Sequence, residues 1–109
     1  MKLWYYLKNL NITNQTRNFL NQKLSKLKKF LGKSDQTALV EIELEKEKNR
    51  LDRAEPYRFE AQVDLPEKNV IRAEGKGKNI YQAINRGVKN LKFRLSQARK
   101  KNRPPRGET

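Results

Sequence analysis

The sequence predicts an α+β domain of order β-α-β-β-β-α, with two helices packed on one face of a four-stranded, largely antiparallel sheet. Three observations lead there. Leucines recur at helical spacing between residues 20 and 31, apolar and polar residues alternate with period two in segments between 38 and 74, and a second helical stripe runs from 80 to 98. With 109 residues and 35% hydrophobic content the chain has room for one core, so both helical stripes and the inner strand faces must share it.

Each element has its own signal. Residues 2–10 are aromatic-rich and read as a first strand, with alternate members of Trp4, Tyr5 and Tyr6 meeting the helices and the far sheet face. Thr13 can cap a helix through its hydroxyl, Leu20, Leu24, Leu27 and Leu31 form its buried stripe, and Gly32 supplies the stop. From Ala38 the period changes: Ala38, Val40, Ile42 and Leu44 alternate with Leu39, Glu41, Glu43 and Glu45, giving a strand that is acidic on its wet side. Residues 46–56 are a long polar connection. Tyr57, Phe59, Ala61, Val63 and Leu65 repeat the alternation, and Pro66 to Asn69 turns the chain into a short strand over Val70 to Glu74. After Gly75 and Gly77, Asn79 can cap a long helix carrying Ile80, Ala83, Ile84, Val88, Leu91, Leu95 and Ala98 on one stripe. The domain is expected to span 1–101, and 102–109, with Arg103-Pro104-Pro105-Arg106, to form a basic, disordered tail.

Composition excludes several chemistries. There is no cysteine and no histidine, so disulfides, thiol nucleophiles, imidazole catalysis and zinc sites built on those ligands are removed together. No nucleophile, base and orienting group can be assembled in any obvious way, and Glu41, Glu43, Glu45 and Glu47 along one strand face favour solvation over metal binding. Neither catalysis nor a cofactor, metal or small-molecule substrate is expected. The run Leu3 to Leu7 is closed by Lys8 and is far too short for a signal-peptide core or a membrane span, which predicts a soluble, intracellular chain.

Charge then points to a partner. The net charge is +14, but residues 1–34 carry eight basic residues and no acid, 35–74 carry seven basic and eleven acidic, and 75–109 carry eleven basic and one acidic. Single-sign fields of this kind attract polyanions. On the second helix, at about 100° per residue from Ile84, Lys78, Arg86, Lys89 and Lys100 fall between about 120° and 200°, opposite the apolar stripe. On the first helix Lys26, Lys29 and Lys33 lie opposite the leucines, with Lys23 and Lys28 on the flanks. Both helices forgo the Glu–Lys pairs at i,i+4 that stabilise an ordinary solvated helix. Two roughly parallel cationic ridges are therefore expected. Phe93 sits at about 180° inside the second ridge, where an exposed aromatic can stack on an unpaired base. Tyr81 is expected in packing or capping instead. The candidate RNA-binding set is Lys23, Lys26, Lys29, Lys33, Lys78, Arg86, Lys89, Phe93 and Lys100.

Taken in register, Leu10-Asn11-Ile12-Thr13, Arg17, Phe19, Lys23-Leu24-Ser25-Lys26-Leu27 and Ala73-x-Gly75-x-Gly77-x-Asn79-Ile80-Tyr81-Gln82-Ala83-Ile84, leading to Leu91 and Leu95, resemble the ribosome hibernation promoting factor family, which includes the ribosome-associated inhibitor A proteins. The resemblance spans nearly residues 1–101. It implies a β-α-β-β-β-α domain that binds rRNA of the small ribosomal subunit, on whole ribosomes, in the decoding region. There it inhibits translation and preserves idle ribosomes in the bacterial cytoplasm or an organelle of bacterial origin. The family's basic residues on the first helix match Lys23, Lys26 and Lys29. On the second, Asn90, Phe93 and Gln97 stand where the family usually has basic residues, while Arg86, Lys89, Lys92 and Arg94 carry the charge, so the basic face is rotated. The likeness is to the short forms, which lack the domain that pairs ribosomes, and implies a monomer off the ribosome.

Three other readings compete. A generic RNA binder, for duplex RNA or ribosome assembly, would read helical shape through similar elements. A KH domain does not fit, because Gly75-Lys76-Gly77-Lys78 lacks the spacing of a GxxG loop. A basic amphipathic helix could lie on an anionic membrane, but the wet face of the second helix lacks Trp and Leu anchors, and no membrane partner is expected.

Overall fold

The computed structural model describes residues 1–32, 36–47, 54–66 and 69–101, with backbone only for 99–101. Its elements run β1 (Lys2–Lys8), α1 (Asn14–Ser25), α2 (Lys28–Leu31), β2 (Leu39–Lys46), β3 (Tyr57–Asp64), β4 (Val70–Gly77) and α3 (Ile80–Lys101). The four strands lie side by side in sequence order, β1 parallel to β2 and the other pairs antiparallel. The helices cover one face, as the periodicities predict. The basic tail at 102–109 lies outside the described residues.

The alternation of β2 and β3 sorts their side chains as expected. Val40, Ile42 and Leu44 pair in register with Val63, Ala61 and Phe59, and all six are fully buried under the helices. Leu20, Leu24, Leu27 and Leu31 close the core from α1 and α2, and Ala83, Ile84, Val88, Leu91 and Leu95 from α3. Each large apolar side chain removed from water here stabilises the fold by about 1.5–3 kcal/mol before entropy is counted. The opposite face of the sheet is open, and Trp4 and Tyr6 are exposed on it.

Three boundaries differ from the sequence reading. The first strand ends at Lys8, because Asn9 takes a left-handed conformation (φ 56°) that an amide side chain tolerates. The first helix is broken: at Lys26 and Leu27 the amides bond to Lys23 O and Leu24 O three residues back, which tightens the turn and redirects α2. The leucine stripe survives the break because Leu27 and Leu31 remain buried. Finally, β4 does not stop at Glu74 but continues through Gly75 and Gly77.

Those glycines set the depth at which α3 packs. A Cβ on Gly75 would stand 2.3 Å from Gly87 N, and one on Gly87 would stand 2.0 Å from Phe59 Cδ1. Backbone meets backbone where β4 and α3 cross, so only hydrogen fits between them. Phe59, deep in β3, fills the space left beneath Gly87.

Candidate nucleic-acid interface

Thr13 caps α1 as expected, its hydroxyl accepting from Thr16 N at 3.1 Å. The Thr16 hydroxyl lies 3.1 Å from both Thr13 Oγ1 and Tyr81 Oη, so a buried polar side chain is satisfied while the start of α1 is tied to the start of α3. Phe19 meets Tyr81 edge to face, with ring centroids 4.9 Å apart. Tyr81 thus takes part in packing, as expected. At the other helix start Asn79 Oδ1 accepts from Gln82 N at 2.9 Å, and Gln82 Oε1 accepts from Lys78 N at 2.7 Å.

With the helices clamped side by side, their cations converge. Lys23, with its ammonium 5.4 Å from the Phe19 ring centroid, Lys26 at the end of α1, and Lys29, 5.2 Å from the Phe30 centroid, face Lys92 on α3. Burial pushes the Lys92 pKa down, and the charges of Lys26, Lys29 and Lys23 push it further. Both ring contacts hold an ammonium over an aromatic face. Lys92 was outside the candidate set because its register, about 80° from Ile84, puts it at the border of the apolar stripe. In the folded chain that border is the seam between the helices. Lys23, Lys26, Lys29 and Lys92 form one cluster across this seam.

Other candidates are dispersed. Lys89 is exposed on α3, and Lys78 is exposed just before it. Arg86 turns away from the seam: its guanidinium pairs with Glu55 and donates to Lys76 O at 2.9 Å, on the edge of β4. Helical register alone places Arg86 with Lys89 on the second ridge; the acceptors on the β4 side draw it off. Phe93 is 64% exposed but lies on the same β4 flank, in a groove lined also by Val70, Arg72, Asn90, Arg94 and Gln97. Lys33 lies outside the described residues, and Lys100 lies in α3 with its side chain outside them.

The open sheet face has the opposite sign. Glu41, Glu43 and Glu45 of β2 stand beside Glu60 and Asp64 of β3, and Arg58 is set among them, paired with Glu60 and lying 3.7 Å from Glu43, 3.5 Å from Glu45 and 3.2 Å from Glu74. Burial works against the Arg58 charge, but Glu60, Glu74 and Glu43 outweigh it and raise its pKa. The molecule is a plate with a cationic helical side and an acidic sheet side. Among the described residues no group of His, Cys, Asp or Glu could hold a metal ion, and no helix is long and apolar enough to cross a membrane.

The chain matches the family described as sigma 54 modulation protein / S30EA ribosomal protein over residues 5–103. It belongs to this family. Two solved structures share the fold of this S30EA-family chain. The Thermus thermophilus Protein Y N-terminal domain superposes with a TM-score of 0.71 at 24% identity, covering 90% of this chain and 99% of that one. A ribosomal subunit interface protein from Coxiella burnetii gives a TM-score of 0.72 at 16% identity, covering 92% and 99%. Comparison with curated proteins gives no match. At these identities the structures speak for the S30EA fold, and the charge distribution has to speak for the site.

Proposed function

We propose that this protein is a ribosome-binding hibernation factor that sits on the rRNA of the small subunit in the decoding region, blocking translation and preserving idle ribosomes. The observation that carries the reading is the cluster of Lys23, Lys26, Lys29 and Lys92 across the helical seam, held together at a cost in mutual repulsion. A folded protein gains nothing from that repulsion by itself. A phosphate backbone laid along the seam relieves it and releases counterions. Membership of the S30EA family supports the ribosome as the source of that backbone, and the resemblance to hibernation factors supports the decoding region. The acidic sheet face disfavours RNA on the far side and so orients the plate. No catalytic step is required of the protein: inhibition follows from occupancy.

Sedimentation of the purified protein with small subunits and with whole ribosomes at two salt concentrations tests this. If six to ten side chains meet phosphates, affinity falls by about 10³–10⁵ between 50 and 200 mM salt. Failure to co-sediment at low salt rejects the ribosome, and equal affinity for a plain RNA duplex redirects the reading to a generic RNA binder. Inhibition of translation on programmed ribosomes, relieved by excess messenger and transfer RNA, tests the decoding region.

A further inference from the structure

Helix α3 carries a second flank that the lysine seam leaves unused. Asn90, Phe93, Arg94 and Gln97 follow one another at spacings of three, one and three residues and line one side of a groove of about 710 Å³. Val70 and Arg72 of β4 line the other side. Phe93 is 64% exposed and Val70 53%, two large apolar surfaces left in water at one edge of the sheet. Arg72 and Arg94 flank them, and neither guanidinium has an ion-pair partner among the described residues. Two carboxylates stand near these arginines, Glu74 in the groove and Glu60 beside it; both are bonded to Arg58, Glu74 at 3.2 Å from its Nε, which offsets part of their charge from the sheet face.

We propose that this groove holds one unstacked nucleotide of single-stranded RNA, with the base on Phe93 and the phosphates between Arg72 and Arg94. The platform and the cations are those of single-strand recognition, in which every base offers a π-face and the backbone supplies the charge. Gln97 and the Oδ1 of Asn90 offer hydrogen bonds to a base edge. The Asn90 carboxamide is oriented for this, because its Nδ2 donates to Glu74 O at 2.8 Å. That bond also argues against a peptide. An extended peptide would add to the free edge of β4, but there Glu74 O is taken by Asn90 and Lys76 O by Arg86. Strand addition is thus obstructed at Glu74 and Lys76, while the groove beside them stays open.

The inference rests on the RNA-binding reading above, yet its test separates the two. In a Trp4→Phe background, Phe93→Trp places a fluorophore in the groove, and the probes are a single-stranded RNA decamer, its duplex, and small ribosomal subunits. The single strand should quench the emission and the duplex should not. Phe93→Ala, at an exposed site, should fold normally by circular dichroism and bind the decamer roughly 5- to 150-fold more weakly. Arg72→Gln and Arg94→Gln should each lower the slope of log affinity against log salt by about one. Unquenched emission together with undiminished decamer binding by Phe93→Ala overturns the groove, and continued co-sedimentation with subunits then leaves the ribosome reading standing. Emission that changes with subunits but not with free RNA also overturns it, in favour of a protein contact. Quenching by the decamer without any binding to subunits upholds the groove and rejects the ribosome.

Discussion

The Tyr81 hydroxyl stands 3.1 Å from Thr16 Oγ1, across the gap between the two longest helices and 65 residues apart in the chain. This contact, with the Phe19–Tyr81 ring pair beside it, brings the start of α3 against the first turns of α1 and so helps set the spacing of the lysines along the seam. Replacing Tyr81 with Phe keeps the ring contact and removes one hydrogen bond, which should cost about 0.5–1.5 kcal/mol. Thr16→Val should cost at least as much, since it also loses the bond to Thr13. Urea denaturation of both single variants and the double variant should show a coupling between the two sites, whereas additive losses would mean that the bond contributes nothing.

Gly87 reverses a general rule. In a solvated helix Gly→Ala is stabilising by about 1 kcal/mol, but here the added methyl meets Phe59 Cδ1 at 2.0 Å. Gly87→Ala and Gly75→Ala should each destabilise by about 1–3 kcal/mol or more, as overpacking of a close contact does. For a domain of this size that lowers the melting temperature by at least several degrees. A melting temperature at or above that of the unaltered protein would show that α3 can lift off β4 at little cost.

Lys92 should separate stability from binding. Its pKa is held below the ordinary lysine value of 10.5 by burial and by Lys26, Lys29 and Lys23. The folded state therefore binds this proton less tightly than the unfolded chain does. At neutral pH the group is charged in both states and destabilises the fold. The penalty disappears as pH rises through the depressed folded value toward the unfolded one. Lys92→Met should accordingly raise stability at pH 7 by a few tenths of a kcal/mol, since solvent screens much of the repulsion, and the gain should shrink near pH 10. The same variant should bind RNA more weakly. Denaturation at the two pH values and a salt titration of RNA binding measure both effects.

Charge reversal at Lys23, Lys26 and Lys29 should abolish co-sedimentation with small subunits without unfolding the domain, because the new carboxylates face Lys92 and replace repulsion by attraction. Arg86→Gln offers the contrast. Its guanidinium is already committed to Glu55 and Lys76 O, so its loss should weaken subunit binding less than Lys92→Gln does. Comparable losses would place Arg86 at the phosphate backbone after all.

Where burial alone determines a side chain's position, the sequence was legible. Val40, Ile42 and Leu44 could face only one way along an extended chain, and Leu20, Leu24, Leu27 and Leu31 could share a face only on a helix. Thr13 and Asn79 act on neighbours three residues away, so their capping was visible too. Gly75 and Gly77 were not legible in the same way. A glycine weakens a strand by local propensity, and what keeps these two in β4 is the approach of Gly87 and Ala83 from another element. The helical break after Ser25 likewise follows no Pro or Gly.

The candidate site divides along the same line. By itself the sequence determined the sign of each surface, a cationic helical side and an acidic sheet face, because register decides which side chains can escape the core. It could not say which cations act together, since that depends on distances between elements. The tertiary structure joined Lys92 to Lys23, Lys26 and Lys29, diverted Arg86 to the edge of β4 and set Phe93 in a separate groove with Arg72 and Arg94. Periodicity determines a direction around one axis, and a binding surface is made where two such directions meet.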